Sequence, residues 1–311
     1  MRPRLDLRHL ELLQAIANES TLADAARALR VTPSALSHRI REAERRLDIT
    51  LFEKRGRILR STPAADILTD ASRRLLSDLA QAETLAIGSA KGVHHVVHLT
   101  VAVYNAFHWL PDFLSEFRET HPDIEIEVDA NAVLSPFEAL LEDSIDIVLT
   151  PGTIFPGSAT AVPLFEDELA AMSAPTHAFA GRDFVSAEDF ESETYFTYSF
   201  VRQPGFEGER VWDGRAYPAR EVRVGSIEAI CELIKAEQGV SILSRWALWP
   251  YLQWSSIRAT QVTEDGLPIQ WNAVLRATSG RKSPERRTAE ALQAWFQRQN
   301  TGLPLPAGAH R

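Results

Sequence analysis

Residues 21–40, TLADAARALRVTPSALSHRI, place small and apolar side chains where two short helices would cross over a tight turn. Ala25, Ala26 and Leu29 fall inward on the first helix, Val31 in the turn, and Ala35, Leu36 and Ile40 inward on the second, and the alanines let the two axes approach closely. The pattern is that of a helix-turn-helix. Thr21 is placed to cap the first helix with Asp24 near its positive end. Thr32 is placed to cap the second, with Pro33 at a first position where a missing amide donor costs nothing. Packed this way, the second helix is pushed outward, as entry into a DNA major groove requires.

The flanking sequence completes a small domain. Leu10, Leu12, Leu13 and Ile16 give residues 7–17 an apolar helical face that packs beneath the helix-turn-helix. The second helix is predicted to run to Leu47. After it, residues 49–62, ITLFEKRGRILRST, alternate apolar positions around a turn at 54–57, as a two-stranded wing does. Charge follows the same division: residues 1–62 hold 13 Lys and Arg against 8 Asp and Glu, a net of +5, while the remainder holds 20 against 34, a net of −14. A basic head on an acidic body fits a protein in which only the head meets phosphates.

The length of 311 residues, with 45% hydrophobic and 24% charged, is that of a globular chain of two or three domains. Residues 63–88 have no interior Gly or Pro, and Leu68, Ala71, Leu75, Leu79, Ala82 and Ala86 recur at spacings of three and four. No second helix nearby in sequence is available to cover this stripe, so it predicts a dimer seam in preference to burial in its own domain. Residues 89–95, SAKGVHH, read as a hinge. Beyond them apolar strands at 96–104, 124–130 and 145–150 alternate with helical patterns at 107–121 and 135–143, which implies a parallel sheet with helices on its faces. A second set follows, with strands at 165–174, 195–200, 220–225 and 240–245 and a helix at 226–239. The strand at 269–277 and helix at 283–299 return to complete the first sheet. Two lobes joined by two crossings leave a cleft faced by strand ends from both.

No apolar run approaches the roughly 20 residues that span a bilayer, and the N-terminal MRPRLDLRHLELL shows no small-residue cleavage site; a cytoplasmic location is predicted. Cys231 is the single cysteine, so no internal disulfide can form and no cysteine-ligated structural zinc is expected.

Residues 5–64, from LDLRHLELL to RILRSTPA, resemble the LysR-type bacterial transcriptional regulators over about 60 contiguous positions. The likeness extends more weakly over the whole chain. TPSALSH at 32–38 together with AFHWLPDF at 106–113 is similar to the branch of the methionine-biosynthesis regulator. The resemblance implies an α+β protein: a winged helix-turn-helix at 5–62, a dimerisation linker helix at 63–90, and a two-lobed, periplasmic-binding-protein-like effector domain at 92–304. Lobe I then covers about 96–163 and 268–300, and lobe II about 164–267. It also implies a homodimer or homotetramer on double-stranded promoter DNA, RNA polymerase as a partner, and a small-metabolite co-inducer with no other cofactor. Homocysteine or another sulfur or amino-acid metabolite is the co-inducer that the methionine branch implies. By position, the family's DNA contacts fall on Ser34, Ser37, His38 and Arg41, flanked by the caps Thr21 and Thr32, and on Lys54, Arg55 and Arg57 of the basic wing. The chain departs from the pattern at Pro33, where many members carry Gln; proline cannot make glutamine's bidentate bond to adenine, so base preference there is not inherited.

Other readings compete. An αα corner inside an ordinary enzyme is the alternative to the helix-turn-helix, and the basic wing argues against it. Arg39, Arg45 and Arg46, spaced among Glu42 and Glu44, fit ion pairs on a solvated face. His94, His95 and His98 lie where a linker enters a strand, without a neighbouring carboxylate or cysteine in sequence, so no metal site is predicted. Asp143 and Asp146 fit a turn and strand start better than a catalytic pair, and Cys231 fits a core position better than an oxidant sensor. No Walker loop, G-x-S-x-G or H-E-x-x-H is present, and catalysis has no positive support.

The effector cleft is read from strand ends: Tyr104, Asn105, Phe107 and His108 after the first strand, Val133 and Ser135 after the second, and Thr150 at the end of the third. Thr197, Tyr198 and Ser226 come from the other lobe, the last at a helix N-terminus able to receive a carboxylate. Trp109 is assigned to the core. Trp246, Trp249 and Trp254 are assigned to a buried or subunit surface rather than an aromatic cage. The sequence thus predicts a DNA-binding regulator with a metabolite-sensing cleft. A constitutive DNA binder whose cleft has filled with side chains is the alternative, and an enzyme or solute binder with an added DNA head is a third.

Overall fold

The computed structural model describes residues 3–19, 21–55, 58–89, 93–104, 106–198, 206–212, 218 and 220–300. It divides into two units, Met1–Gly92 and Val93–Arg311.

The first unit holds α1 (Leu7–Asn18), α2 (Leu22–Ala28), α3 (Pro33–Leu47), a hairpin of β1 (Phe52–Arg55) and β2 (Ile58–Ser61), and α4 (Pro63–Ser89). The alanine pattern does what its spacing requires: Ala25, Ala26, Leu36, Ile40 and Ala43 are buried with Leu12 and Leu13 of α1, while Leu29 and Val31 are partly buried against them. The Thr21 and Thr32 hydroxyls accept from the amides of Asp24 and Ala35, each at 3.2 Å, and Pro33 opens α3. Arg30 closes the inter-helix turn in the left-handed region (φ 54°), and Asp48 does the same at the end of α3 (φ 61°). The hairpin pairs antiparallel, with Lys54 opposite Leu59 and Arg55 opposite Ile58.

The linker helix corrects one expectation. Its first turns are covered by α1: the Gln14 amide donates to the Thr69 carbonyl (2.8 Å) and to Ser72 Oγ (2.9 Å), and Ala65 is fully buried. Amphipathicity alone could not show this, because α1 lies some 50 residues upstream. The uncovered stripe therefore starts later than Leu68, with Leu75 and Leu79 exposed and Ile67 and Ile87 exposed beside it.

In the second unit β3 (His95–Val101) lies between and parallel to β4 (Ile124–Val128) and β5 (Ile147–Pro151), with α5 (Leu110–Thr120) and α6 (Pro136–Leu141) as the crossovers. β6 (Ala159–Ser173) and β12 (Pro268–Arg276) then extend the sheet antiparallel, so it is mixed and not wholly parallel as predicted. β6 is itself the first crossing between lobes. Residues 159–168 pair with β12, and 169–173 pair with β10 (Ser241–Ser244) and β11 (Arg258–Val262). Lobe I thus extends about five residues past 163. Lobe II adds β7 (Phe184–Val185) beside β11, the parallel pair β8 (Thr194–Thr197) and β9 (Arg220–Arg223), and the helices α7 (Glu207–Arg210), α8 (Ile227–Lys235) and α9 (Trp249–Gln253). α10 (Pro284–Asn300) returns to lobe I, burying Ala289, Leu292, Trp295 and Phe296 with Phe113 and Phe117 of α5. Every residue of β5 and β10 is buried, as in strands covered on both faces. No helix among the described residues is long and apolar enough to cross a membrane.

Candidate nucleic-acid interface and inter-lobe cleft

α3 exposes Ser34, His38, Arg41 and Arg45 at spacings of four, three and four, which is one face of a helix, with Ser37 half-buried beside them. Arg41 Nε donates to the Ser37 carbonyl at 3.3 Å and Ser34 Oγ lies 3.3 Å from Thr32 Oγ1, so the row is held by its own backbone and cap. Thr21 and Thr32 spend their hydroxyls on capping, which orients the helices. Of the predicted ion pairs one forms: Arg46 bridges Glu42 (2.5 Å) and Asp6 (3.3 Å), and its guanidinium holds the Glu42 carboxyl below its usual range. Glu44 does something the charge pattern did not show. Its Oε1 accepts from the amides of Leu51 (2.8 Å) and Phe52 (3.2 Å), tying the recognition helix to the wing. Lys54 and Arg55 lie on β1, and Arg57 lies outside the described residues.

In the second unit, Tyr104 follows β3 and is buried. Its Oη accepts from the Ser244 amide at the end of β10 (3.2 Å), a bond that joins the lobes. Its ring lies 5.6 Å from Tyr198 and 5.8 Å from Trp271. Burial pushes both tyrosine hydroxyls well above their usual range, so both stay protonated. Thr150 and Thr197 are also buried; the Thr150 hydroxyl donates to the Pro151 carbonyl at 3.2 Å. The structure therefore gathers Tyr104 and Tyr198, and it separates others of the predicted set. Phe107 packs on the core, and His108 sits 5.0 Å from the Trp246 ring in a different cavity. Val133 is half-buried in the short 3-10 turn Asn131–Leu134, and Ser135 is exposed after it. Asn105 lies outside the described residues. Ser226 caps α8 through the Ala229 amide (3.3 Å) and donates to Glu228 Oε2 (2.5 Å). The helix end offered to a ligand carboxylate thus already carries a carboxylate of its own.

Sequence reading missed the residues that couple the lobes. Asp167, just before the crossing in β6, accepts from Ser244 Oγ (2.5 Å), the Trp246 amide (3.1 Å) and Trp271 Nε1 (3.0 Å), and burial raises its pKa. The acidic triplet Glu166, Asp167 and Glu168 within FEDELAAM, in an otherwise apolar stretch, was the available signal. Phe206 is buried against Gly152, where an added Cβ would lie 3.2 Å from Phe206 Cε2, so a lobe II side chain covers the carboxyl end of β5. Tyr195 donates to Glu207 Oε1 at 3.4 Å beside it.

The remaining candidates are structural. His98, isolated from acids in sequence, is met by Asp146 (3.3 Å) and Glu127 (3.5 Å) from neighbouring strands, and the Asp146 bond raises its pKa. Arg276 clamps Asp143 (3.0 Å) and Asp146 (2.8 Å), fixing the turn before β5. Among the described residues no group of three His, Cys, Asp or Glu is placed to hold a metal. Burial pushes the Cys231 thiol up to about 12.

A winged helix-turn-helix followed by a long helix and a two-lobed α/β domain defines a DNA-binding regulator. The family model for the bacterial regulatory helix-turn-helix protein, lysR family, matches residues 7–66, and that for the LysR substrate binding domain matches 90–297. The chain belongs to the LysR family of transcriptional regulators. It is 26% identical over 276 residues to the HTH-type transcriptional regulator MetR of Salmonella typhimurium, covering 88% of this chain and 84% of that one. The regulatory domain of MetR from N. meningitidis superposes with a TM-score of 0.55 at 24% identity, over 68% of this chain and 96% of that one. Full-length CbnR, solved with its target DNA, gives 0.67 at 18% identity over 95% and 99%, a likeness of fold.

Proposed function

We propose that the inter-lobe cleft senses a small metabolite and that its occupancy alters how α3 is presented to promoter DNA. The Tyr104–Ser244 bond carries the reading: it is a hydrogen bond between lobes, at the carboxyl ends of the sheet strands, beside the Tyr198 hydroxyl. A ligand that replaces it has different affinities for two lobe arrangements, which is the one way it can shift their balance. Similarity to proteins named MetR supports homocysteine or another sulfur or amino-acid metabolite as the first candidate. The exposed Leu75 and Leu79 on α4 support dimerisation through that helix, as a dimer or a tetramer of paired dimers; membership of a family of transcriptional regulators supports a cytoplasmic location and RNA polymerase as the downstream partner.

A second reading has its own observation. Phe206 packed on Gly152, with Tyr104, Thr150 and Thr197 buried, favours a cleft already filled and a constitutive DNA binder. A thermal-shift screen of the full chain against amino acids, sulfur metabolites, aromatic acids and sugar acids separates the two. A saturable rise in Tm, lost in Tyr198→Phe, supports sensing, because a ligand held only by the folded state must stabilise it. No shift across the panel favours the filled cleft.

A further inference from the structure

A second cavity, of about 380 Å³, lies between α5, α10 and the segment that leads into α9, and its lining includes neither Tyr104 nor Tyr198. Five of the chain's seven tryptophans line it. Trp109, Trp295 and Trp246 are buried and form a fixed base with Phe296: ring centroids lie 5.3 Å apart for Trp109 and Phe296, 6.2 Å for Trp109 and Trp295, and 5.8 Å for Trp246 and Phe296. α9 contributes Trp249, and Trp254, the residue that follows α9, stands 84% exposed at the rim. The volume is within the range of small-molecule sites.

The charge of the lining selects the ligand. Among the described residues that line it, the ionisable side chains are Asp112 and His108. Desolvation lowers the His108 pKa, so the imidazole is neutral at pH 7. Asp112, in the first turn of α5, makes no ion pair among the described residues. With no Lys or Arg among the described lining residues, a carboxylate or phosphate would meet no counter-ion, while a cation meets five indole rings and one carboxylate. A cation over the face of such a ring is attracted by its quadrupole.

We propose that this cavity binds a compact organic cation of the methylated-ammonium class, held against Trp249 and Trp254 and beside the Asp112 carboxylate. The site is separate from the inter-lobe cleft but fixed to the same crossing, since the Trp246 amide donates to Asp167 at 3.1 Å.

The test is a tryptophan-fluorescence titration of the full chain with choline and with tetramethylammonium. Sodium chloride at equal ionic strength and the neutral tert-butyl analogue of choline serve as controls. A saturable change with the cations and not with the controls is expected. Trp249→Ala and Trp254→Ala should each weaken it by about two- to five-fold, the range for one exposed cation–ring contact. Asp112→Asn should weaken the cation titrations, and Tyr198→Phe should leave them unchanged. Trp254 is on the surface, so its variant retains the wild-type circular dichroism. Equal binding of the neutral analogue, absence of a saturable change, or loss of the response in Tyr198→Phe would overturn the proposal. So would a Trp254→Ala chain whose sedimentation changes while its cation titration does not, which would assign this face to a second copy of the chain.

Discussion

Replacing Glu44 with Ala should loosen the wing from the recognition helix, and the size of the effect follows from its bonds. One carboxylate oxygen accepts the amides of Leu51 and Phe52, whose side chains are both buried. A hydrogen bond to a charged acceptor contributes about 1.5–3 kcal/mol, and two that share one oxygen contribute less than twice that, so Glu44→Ala should cost the first unit about 3 kcal/mol. Glu44→Gln keeps an acceptor without the charge and should cost about 1 kcal/mol. For a unit of this size each kcal/mol moves Tm by about 4–8 °C, so calorimetry of the full chain should show the first unit's transition falling by more than about 12 °C in the Ala variant. Lys54 and Arg55 lie on β1 of the wing, so fluorescence anisotropy should show binding to specific and random DNA weakening together. An Ala variant within about 1 kcal/mol of wild type, with the same affinity for random DNA, would refute the coupling.

Other consequences follow from single residues. The His98 pKa is raised above 6.5 chiefly by its bond to Asp146, so its contribution to stability is complete below about 6.5 and lost as pH rises through the folded value; the second unit's Tm should fall over that alkaline window in wild type and not in His98→Gln. At Gly239 (φ 156°) an added Cβ would sit 2.2 Å from the Thr194 carbonyl oxygen, and Gly239→Ala should cost about 3 kcal/mol by urea denaturation, with no change at all refuting that packing. Cys231, buried and with its thiol pushed up to about 12, should resist iodoacetamide at pH 8 in the folded chain and react once unfolded; labelling of the native chain would contradict its placement.

The DNA-binding unit was legible because its determinants are local. Alanines at helix-crossing positions, threonine caps and Pro33 act within a few residues of one another, and α3 and the hairpin follow the sequence pattern closely. The effector unit was legible in its elements and not in its pairing. Nothing in the run 159–173 shows that one strand serves both lobes, because its partners in β12, β10 and β11 lie 69 or more residues on. For the same reason His98 read as isolated, although Asp146 and Glu127 meet it across neighbouring strands. The cleft was half legible: strand ends located Tyr104 and Tyr198, while Phe206, Glu207 and Ser244 reach it from segments without a telling pattern. Trp246, Trp249 and Trp254 read as a packing surface, and only their meeting with Trp109 and Trp295 shows a cavity.

The central claim is that α3 reads sequence while the wing holds phosphates. The direct test is equilibrium binding of the full chain to a fragment it selects from genomic DNA and to a random duplex of equal length, across a salt series. Wild type should prefer the selected fragment by about a thousand-fold or more. His38→Ala and Ser37→Ala should reduce that preference by about 1–3 kcal/mol with random binding unchanged. Arg57→Ala should weaken both duplexes alike and flatten the salt slope by about one. Equal losses on both duplexes for all three variants would contradict the account.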